Sequence, residues 1–309
     1  MNIAIVGVGG VGGYFGGLLA RAAKDIPGLK VYFIARGQHL EEIKKNGLII
    51  DTDDGQFICV PEMATDDIAA LPDIDLFLLC VKSYSLPQVL EKMKSKVKDA
   101  TLILPLLNGM DIYDRVRAVI DKGTVFPSCV YVGTHLEKPG KIKQRGGTAK
   151  IIFGKDPKNP ELPRELLSLF DSAGIKYSWT DDINAEIWKK YIFIAAFGLV
   201  TAASGKTLGE VLGSPELKGS VEKIMREITG IASKLGIKLP GSIIEDTLKN
   251  AAGFPPDTKT SFQRDFEIEG KPDERDIFGG AVIRLGKKTG MPTLETERVF
   301  ALLQAHKKL

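Results

Sequence analysis

The stretch IAIVGVGGVGGYFGGLLA at residues 3–20 decides the fold. Ile3, Ala4, Ile5 and Val6 read as a short buried strand. Gly7, Gly9 and Gly12 follow as Gly-x-Gly-x-x-Gly, with Val8, Gly10 and Val11 between them, and a helix-like run comes next. In such a unit the first glycine permits the tight turn, and the second lets the backbone approach a pyrophosphate. The third lets helix and strand pack closely, and the helix N-terminus then faces the anion. With 33 glycines in the chain, a chance match is easy, so the flanking strand and helix give the motif its weight. A dinucleotide is the expected ligand; the competing reading is a glycine turn with a purely structural role.

Working outward, apolar strand patterns recur at residues 31–35, 76–81, 102–106, 124–132, 150–154 and 175–179. Near-continuous apolar strands alternating with helical patterns predict a parallel sheet covered on both faces. Residues 48–60 read as a hairpin turning at Asp54-Gly55, and residues 162–173 as a helix. From Asp181 the texture changes: helical periods run over 183–203, 214–235, 242–252, 274–289 and 294–306, punctuated by Pro and Gly. The prediction is an α/β chain with a Rossmann-type domain over 1–180 and an all-helical domain over 181–309, a ligand being expected where two such lobes meet.

Composition narrows the function classes. With 42 basic and 39 acidic residues, the net charge of +3 gives no footprint for nucleic acid or membrane. Cys59, Cys80 and Cys129 are too few and too scattered for a disulfide framework, and His39, His135 and His306 have no metal-ligand spacing. No metal is expected. The start MNIAIVGVGG lacks the features of a signal peptide, and the apolar run near 187–203 contains Lys189 and Lys190, so it reads as a core helix. A cytoplasmic protein with a small-molecule partner is expected. The apolar helices after Ser214 leave two readings open, a homodimer face or a domain core.

The second strand, VYFIARGQHL, ends without the acid that bonds an NAD ribose and carries Arg36 instead. A guanidinium can clasp a ribose 2′-phosphate with paired charged hydrogen bonds, which favours NADPH; a solvated surface arginine is the plainer alternative. Lys82, after LFLLCV, and Asn108, after LILPLL, follow strands at the carboxyl ends where ligands of open sheets bind. Each also has an ordinary explanation, a surface lysine and an Asn-Gly turn.

For chemistry, few histidines leave lysine as the obvious proton donor. A lysine on an apolar helix is partly desolvated, which brings its pKa toward working pH. EIWKKYIFIAAFG offers Lys189 and Lys190 on equally apolar stripes, and periodicity does not choose between them. The segment KTSFQRDFEIEGKPDERDIFGG reads by itself as a solvated loop entering a helix.

Taken together, IAIVGVGGVGG, VKSY, NGM at 108–110, EIWKKYIFIAA, TSFQRD and DERDIFGGAVIRLGKKTGMPT resemble, in this order, the ketopantoate reductase (2-dehydropantoate 2-reductase) family. The resemblance covers nearly the whole chain. It implies a Rossmann domain and a helical domain with NADPH and substrate between them, and reduction of ketopantoate to pantoate on the route to pantothenate and coenzyme A. It assigns Gly7, Gly9, Gly12, Arg36 and Lys82 to the cofactor and places Asn108 near nicotinamide and substrate. Lys190 matches the general acid, Ser261 holds the substrate carboxylate, and Glu274 binds substrate hydroxyl or positions the lysine.

Three positions depart from the family pattern. Ile194 and Gly198 stand where asparagines follow the catalytic lysine by four and eight residues, and Gly279 stands where asparagine is usual. Losing amides from a polar site shifts substrate choice. A reductase or D-2-hydroxyacid dehydrogenase for another branched 2-oxo acid is therefore the alternative. A dinucleotide-binding regulator without catalysis is a third reading, one with no need for Lys190.

Overall fold

The computed structural model describes residues 1–306. The chain divides into two compact units, the first Met1–Ile183 and the second beginning at Asn184.

In the first unit, β1 (Asn2–Val6) leads through the glycine turn into α1 (Gly10–Ala22). Then come β2 (Lys30–Ile34), α2 (Gly37–Asn46), β3 (Leu48–Thr52), β4 (Gly55–Cys59) and β5 (Met63–Thr65). β6 (Leu76–Leu79), α3 (Leu86–Met93), β7 (Leu102–Pro105), α4 (Ile112–Arg117) and β8 (Thr124–Val125) follow. The main sheet has six strands in the order β5-β2-β1-β6-β7-β8, every neighbouring pair parallel. All of Ile3, Ile5, Phe33, Leu76, Leu78 and Leu104 are buried, packed with Phe15 and Leu19 of α1. That two-sided burial is why these strands read as unbroken apolar runs. The strand order reverses between β1 and β6, the crevice position where ligands of open α/β sheets bind.

The rest of the unit comprises β9 (Ser128–Tyr131), β10 (Thr134–Lys138), β11 (Lys141–Gln144), β12 (Lys150–Gly154), α5 (Arg164–Ser172) and β13 (Lys176–Thr180). The expected single strand over 124–132 is two strands in different sheets, because Pro127 supplies no N–H to continue a ladder. The hairpin at Asp54-Gly55 forms, and β3 continues into a second sheet ordered β10-β11-β3-β4. Lys141 and Arg145 both pair with Asp51 of β3, at 2.9 and 2.6 Å, and hold its carboxyl down at about 2.

Asp156, fully buried just after β12, is the unit's electrostatic knot. It accepts hydrogen bonds from the Val125 and Lys158 amides at 2.8 and 3.0 Å, from the Tyr113 hydroxyl at 2.8 Å, and from Arg117. Burial works to raise its pKa, but the four donors outweigh it and the net shift is downward. A carboxyl depressed in the fold contributes stability above its unfolded pKa and loses that contribution as pH falls through the folded value. Asp156→Ala, which strands Arg117, is expected to cost about 3–5 kcal/mol in urea unfolding at neutral pH. The difference from wild type should shrink below pH ~4; a pH-independent difference would show that ionisation at Asp156 is irrelevant.

The second unit's helices begin with α6 (Ile183–Ser204), whose first residue closes the first unit, and α7 (Leu208–Gly213). α8 (Pro215–Lys234), α9 (Ile243–Ala252), α10 (Ser261–Phe266), α11 (Ala281–Thr289) and α12 (Leu294–His306) complete it. α6 is long and apolar enough to cross a membrane by length and composition, yet most of it is buried inside the protein. Being apolar around its circumference, it behaves as a central core helix. The expected helix over 274–289 is irregular at its start. Residues Asp276–Gly280 form a π-helical turn before α11, a device that concentrates at functional sites.

Candidate active site

Sequence and topology place the first group of candidates on one edge of the main sheet. Gly7 follows β1, Arg36 follows β2, Lys82 lies three residues beyond β6 and Asn108 three beyond β7. All stand at carboxyl ends of adjacent parallel strands. Gly7 has φ +96°, a conformation that favours glycine, and its N–H donates to Ile34 at 3.1 Å. A Cβ on Gly12 would lie 2.0 Å from the Gly7 carbonyl oxygen and 2.7 Å from Cys80 Cβ, so only hydrogen fits there.

Gly9 is different in kind: nothing lies within 4 Å of where its Cβ would point, and its φ of −83° suits any residue. Glycine here keeps the approach to the turn open. α1 starts immediately after it with no acid in the first turn and no side-chain cap, leaving the positive end of its dipole available to an anion. This cradle fits a dinucleotide pyrophosphate. The guanidinium of Arg36 is exposed, Lys82 and Asn108 are half-buried, and Gly109 turns at φ +137°. Asn108 thus sits in the Asn-Gly turn that was its plainer explanation.

The second group lies in the helical unit. Two acids, Asp181 and Asp182, precede α6 where negative charge complements the helix dipole. Lys189 and Lys190 are both half-buried in its second turn. Lys189 is ion-paired with Glu186 of the same helix at 2.7 Å. Tyr191, 1% exposed, points its hydroxyl at the carbonyls of Ile277 and Phe278, 2.7 and 3.0 Å away. It therefore ties the lysine-bearing helix to the backbone of the π-turn. Glu274, two residues before that turn, is 3% exposed. The segment is thus no solvated loop at this point, and a carboxylate there is a buried polar group that needs partners. Ser261 is exposed at the start of α10, which Thr260 caps through the Gln263 amide at 3.1 Å.

The sequence reading passed over His39, Tyr191 and Gln263. Gln263 is fully buried, gives its amide to Glu267 at 3.1 Å, and leaves its carbonyl oxygen unpartnered among the described residues. Nothing local marked any of the three.

Residues 3–158 match the family described as ketopantoate reductase PanE/ApbA, and residues 182–307 match its C-terminal domain. The chain belongs to the ketopantoate reductase family. It is accordingly an oxidoreductase whose cofactor is NADPH, acting on a small molecule. A 2-dehydropantoate 2-reductase of Mesorhizobium japonicum is 28% identical over 98% of this chain and 97% of its own. An uncharacterised oxidoreductase of Bacillus subtilis is also 28% identical, over 99% of each. Among solved structures, a ketopantoate reductase of this family from Ralstonia eutropha has a TM-score of 0.89 at 27% identity, covering 100% of this chain and 99% of the other. D-mandelate dehydrogenase in complex with NADH and anilino(oxo)acetate shares the fold, with TM-score 0.86 at 22% identity over 100% and 99% of the two chains.

Against that family background, Gly279 has a packing cause. A Cβ there would lie 2.5 Å from the ring of Phe300 on α12, so asparagine has no room. A Cβ on Gly198 would stand 3.5 Å from the Phe262 ring, and Ile194 is half-buried on the same stripe as Lys190.

Proposed function

We propose that this ketopantoate reductase homologue reduces the oxo group of 2-dehydropantoate to give pantoate, with Lys190 as the general acid. The observation that supports it most is Lys190 itself, half-buried in the second turn of an apolar core helix at the position that the family resemblance assigns to the general acid. NADPH, when bound, supplies the hydride. Gly7, Gly9 and Gly12 admit the pyrophosphate to the turn, Arg36 clasps the 2′-phosphate, and Lys82 adds positive charge at the sheet edge. As negative charge develops on the oxo oxygen, the Lys190 ammonium donates its proton, and solvent restores it after product leaves. Ser261 donates a hydrogen bond to the substrate carboxylate, Asn108 orients the reacting end, and Glu274 takes the substrate hydroxyl or steadies the lysine. On this reading the product enters pantothenate and coenzyme A synthesis.

A second reading is favoured by Gly198 and Phe262: a branched 2-oxo acid with an apolar side chain. One assay separates them. NADPH oxidation is followed with ketopantoate and with 2-oxoisovalerate, which lacks the hydroxyl, and a higher kcat/KM for ketopantoate is expected. The reverse order selects the second reading, and oxidation with neither overturns both. In the same assay Arg36→Ala is expected to lower the preference for NADPH over NADH by about tenfold to a hundredfold, the worth of charge-assisted hydrogen bonds. An unchanged ratio would remove Arg36 from the cofactor site.

A further inference from the structure

We propose that His39 is a positioning residue for the dinucleotide, fixing the Val8–Gly9 peptide so that the Gly9 amide faces the phosphates. The proposal rests on the cofactor reading above. His39 lies in the first turn of α2, three residues after Arg36. Its Nδ1 accepts the Gly140 backbone N–H at 2.9 Å, a bond between residues 101 apart in the sequence. A backbone N–H can only donate, so Nδ1 is bare and the ring proton sits on Nε2. Nε2 in turn lies 2.6 Å from the Val8 carbonyl oxygen and donates to it. One imidazole therefore joins three pieces of backbone: the glycine turn, the helix that follows Arg36, and the Gly140 loop between β10 and β11.

The consequence follows from peptide planarity. The Val8–Gly9 bond is trans, so the Val8 carbonyl and the Gly9 N–H point in opposite directions. Anchoring the carbonyl on His39 turns the Gly9 donor away from it, at the residue whose Cβ position faces open space. Burial lowers the His39 pKa and keeps the ring neutral, the state in which Nδ1 can accept.

The test is NADPH affinity by fluorescence titration of the full chain, beside thermal unfolding without cofactor. His39→Leu removes both bonds and is expected to weaken NADPH about tenfold. His39→Gln keeps an amide donor near the Nε2 position and is expected to bind within about threefold of wild type. His39→Asn keeps only an acceptor for Gly140 and is expected to bind as weakly as the leucine variant. A merely structural role predicts that affinity follows melting temperature, with Gln and Asn alike. Equal affinities for those two variants, or wild-type affinity in His39→Leu, would overturn the proposal. Should His39→Leu not fold, the Gln and Asn comparison decides alone. Nitrogen NMR of the apo protein is expected to show the Nε2–H tautomer, and Nδ1–H would also overturn it. If wild type itself fails to bind NADPH, the cofactor reading falls and takes this inference with it; NADPH binding that is insensitive to His39 sinks only the inference.

Discussion

Replacing Lys190 by alanine is expected to lower kcat for 2-oxo acid reduction by about 10²- to 10⁴-fold, the usual contribution of a positioned general acid. NADPH affinity should hardly change, because the cofactor candidates lie on the sheet edge of the other unit. Lys189→Ala removes an i,i+3 pair with Glu186 between partly exposed side chains. Such a pair contributes about 0.2–1 kcal/mol to stability, and kcat should stay near wild type. Lys190→Arg sharpens the comparison: it keeps the positive charge but supplies a group that does not give up its proton near neutral pH. A slow arginine variant marks proton donation, and a fast one marks charge alone. If Lys189→Ala proves the slow enzyme and Lys190→Ala the normal one, the assignment moves by one residue.

The second large effect separates two glycines of one motif. Gly12→Ala puts a Cβ 2.0 Å from the Gly7 carbonyl and 2.7 Å from Cys80, between backbone elements with no flexible side chain to yield. Overpacking of that kind costs about 3 kcal/mol or more, and Tm should fall by roughly 10 °C or the protein should fail to accumulate in folded form. Gly9→Ala meets nothing within 4 Å and needs no unusual backbone angle. Its Tm should match wild type, while NADPH, which must come close to that backbone, should bind at least about tenfold more weakly. Thermal unfolding and cofactor titration on both variants read out the difference. A Gly9→Ala protein that binds NADPH normally would return the turn to a purely structural role.

Much of this was legible along the chain because the signals are short-range. A strand, three spaced glycines and a helical run are read within twenty residues, and buried parallel strands announce themselves as unbroken apolar runs. The strand assignment failed at residues 124–132, where Pro127 lies between two sheets, and β10 and β11 escaped notice because β10 is charged and mostly exposed and β11 offers a single apolar residue, Ile142, among polar ones. α7 was missed although Thr207 and Glu210 form a capping box, a local signal that was there to use.

By itself, then, the sequence determined the glycine turn, the parallel α/β layout, the change to helices near residue 181, and a shortlist in which Arg36, Lys82, Asn108, Lys190, Ser261 and Glu274 were named. Tertiary structure alone decided the strand order that gathers the first three at one sheet edge, and the pairing of Lys189 with Glu186. It also decided the burial of Glu274, the exclusion of asparagine at Gly279 by Phe300, and the clasp of His39 on Val8 and Gly140. The division has a physical cause. Turns and periodicities are set by neighbours a few bonds away, whereas a ring that fills one glycine's space or a carbonyl that finds one imidazole comes from packing distant segments together.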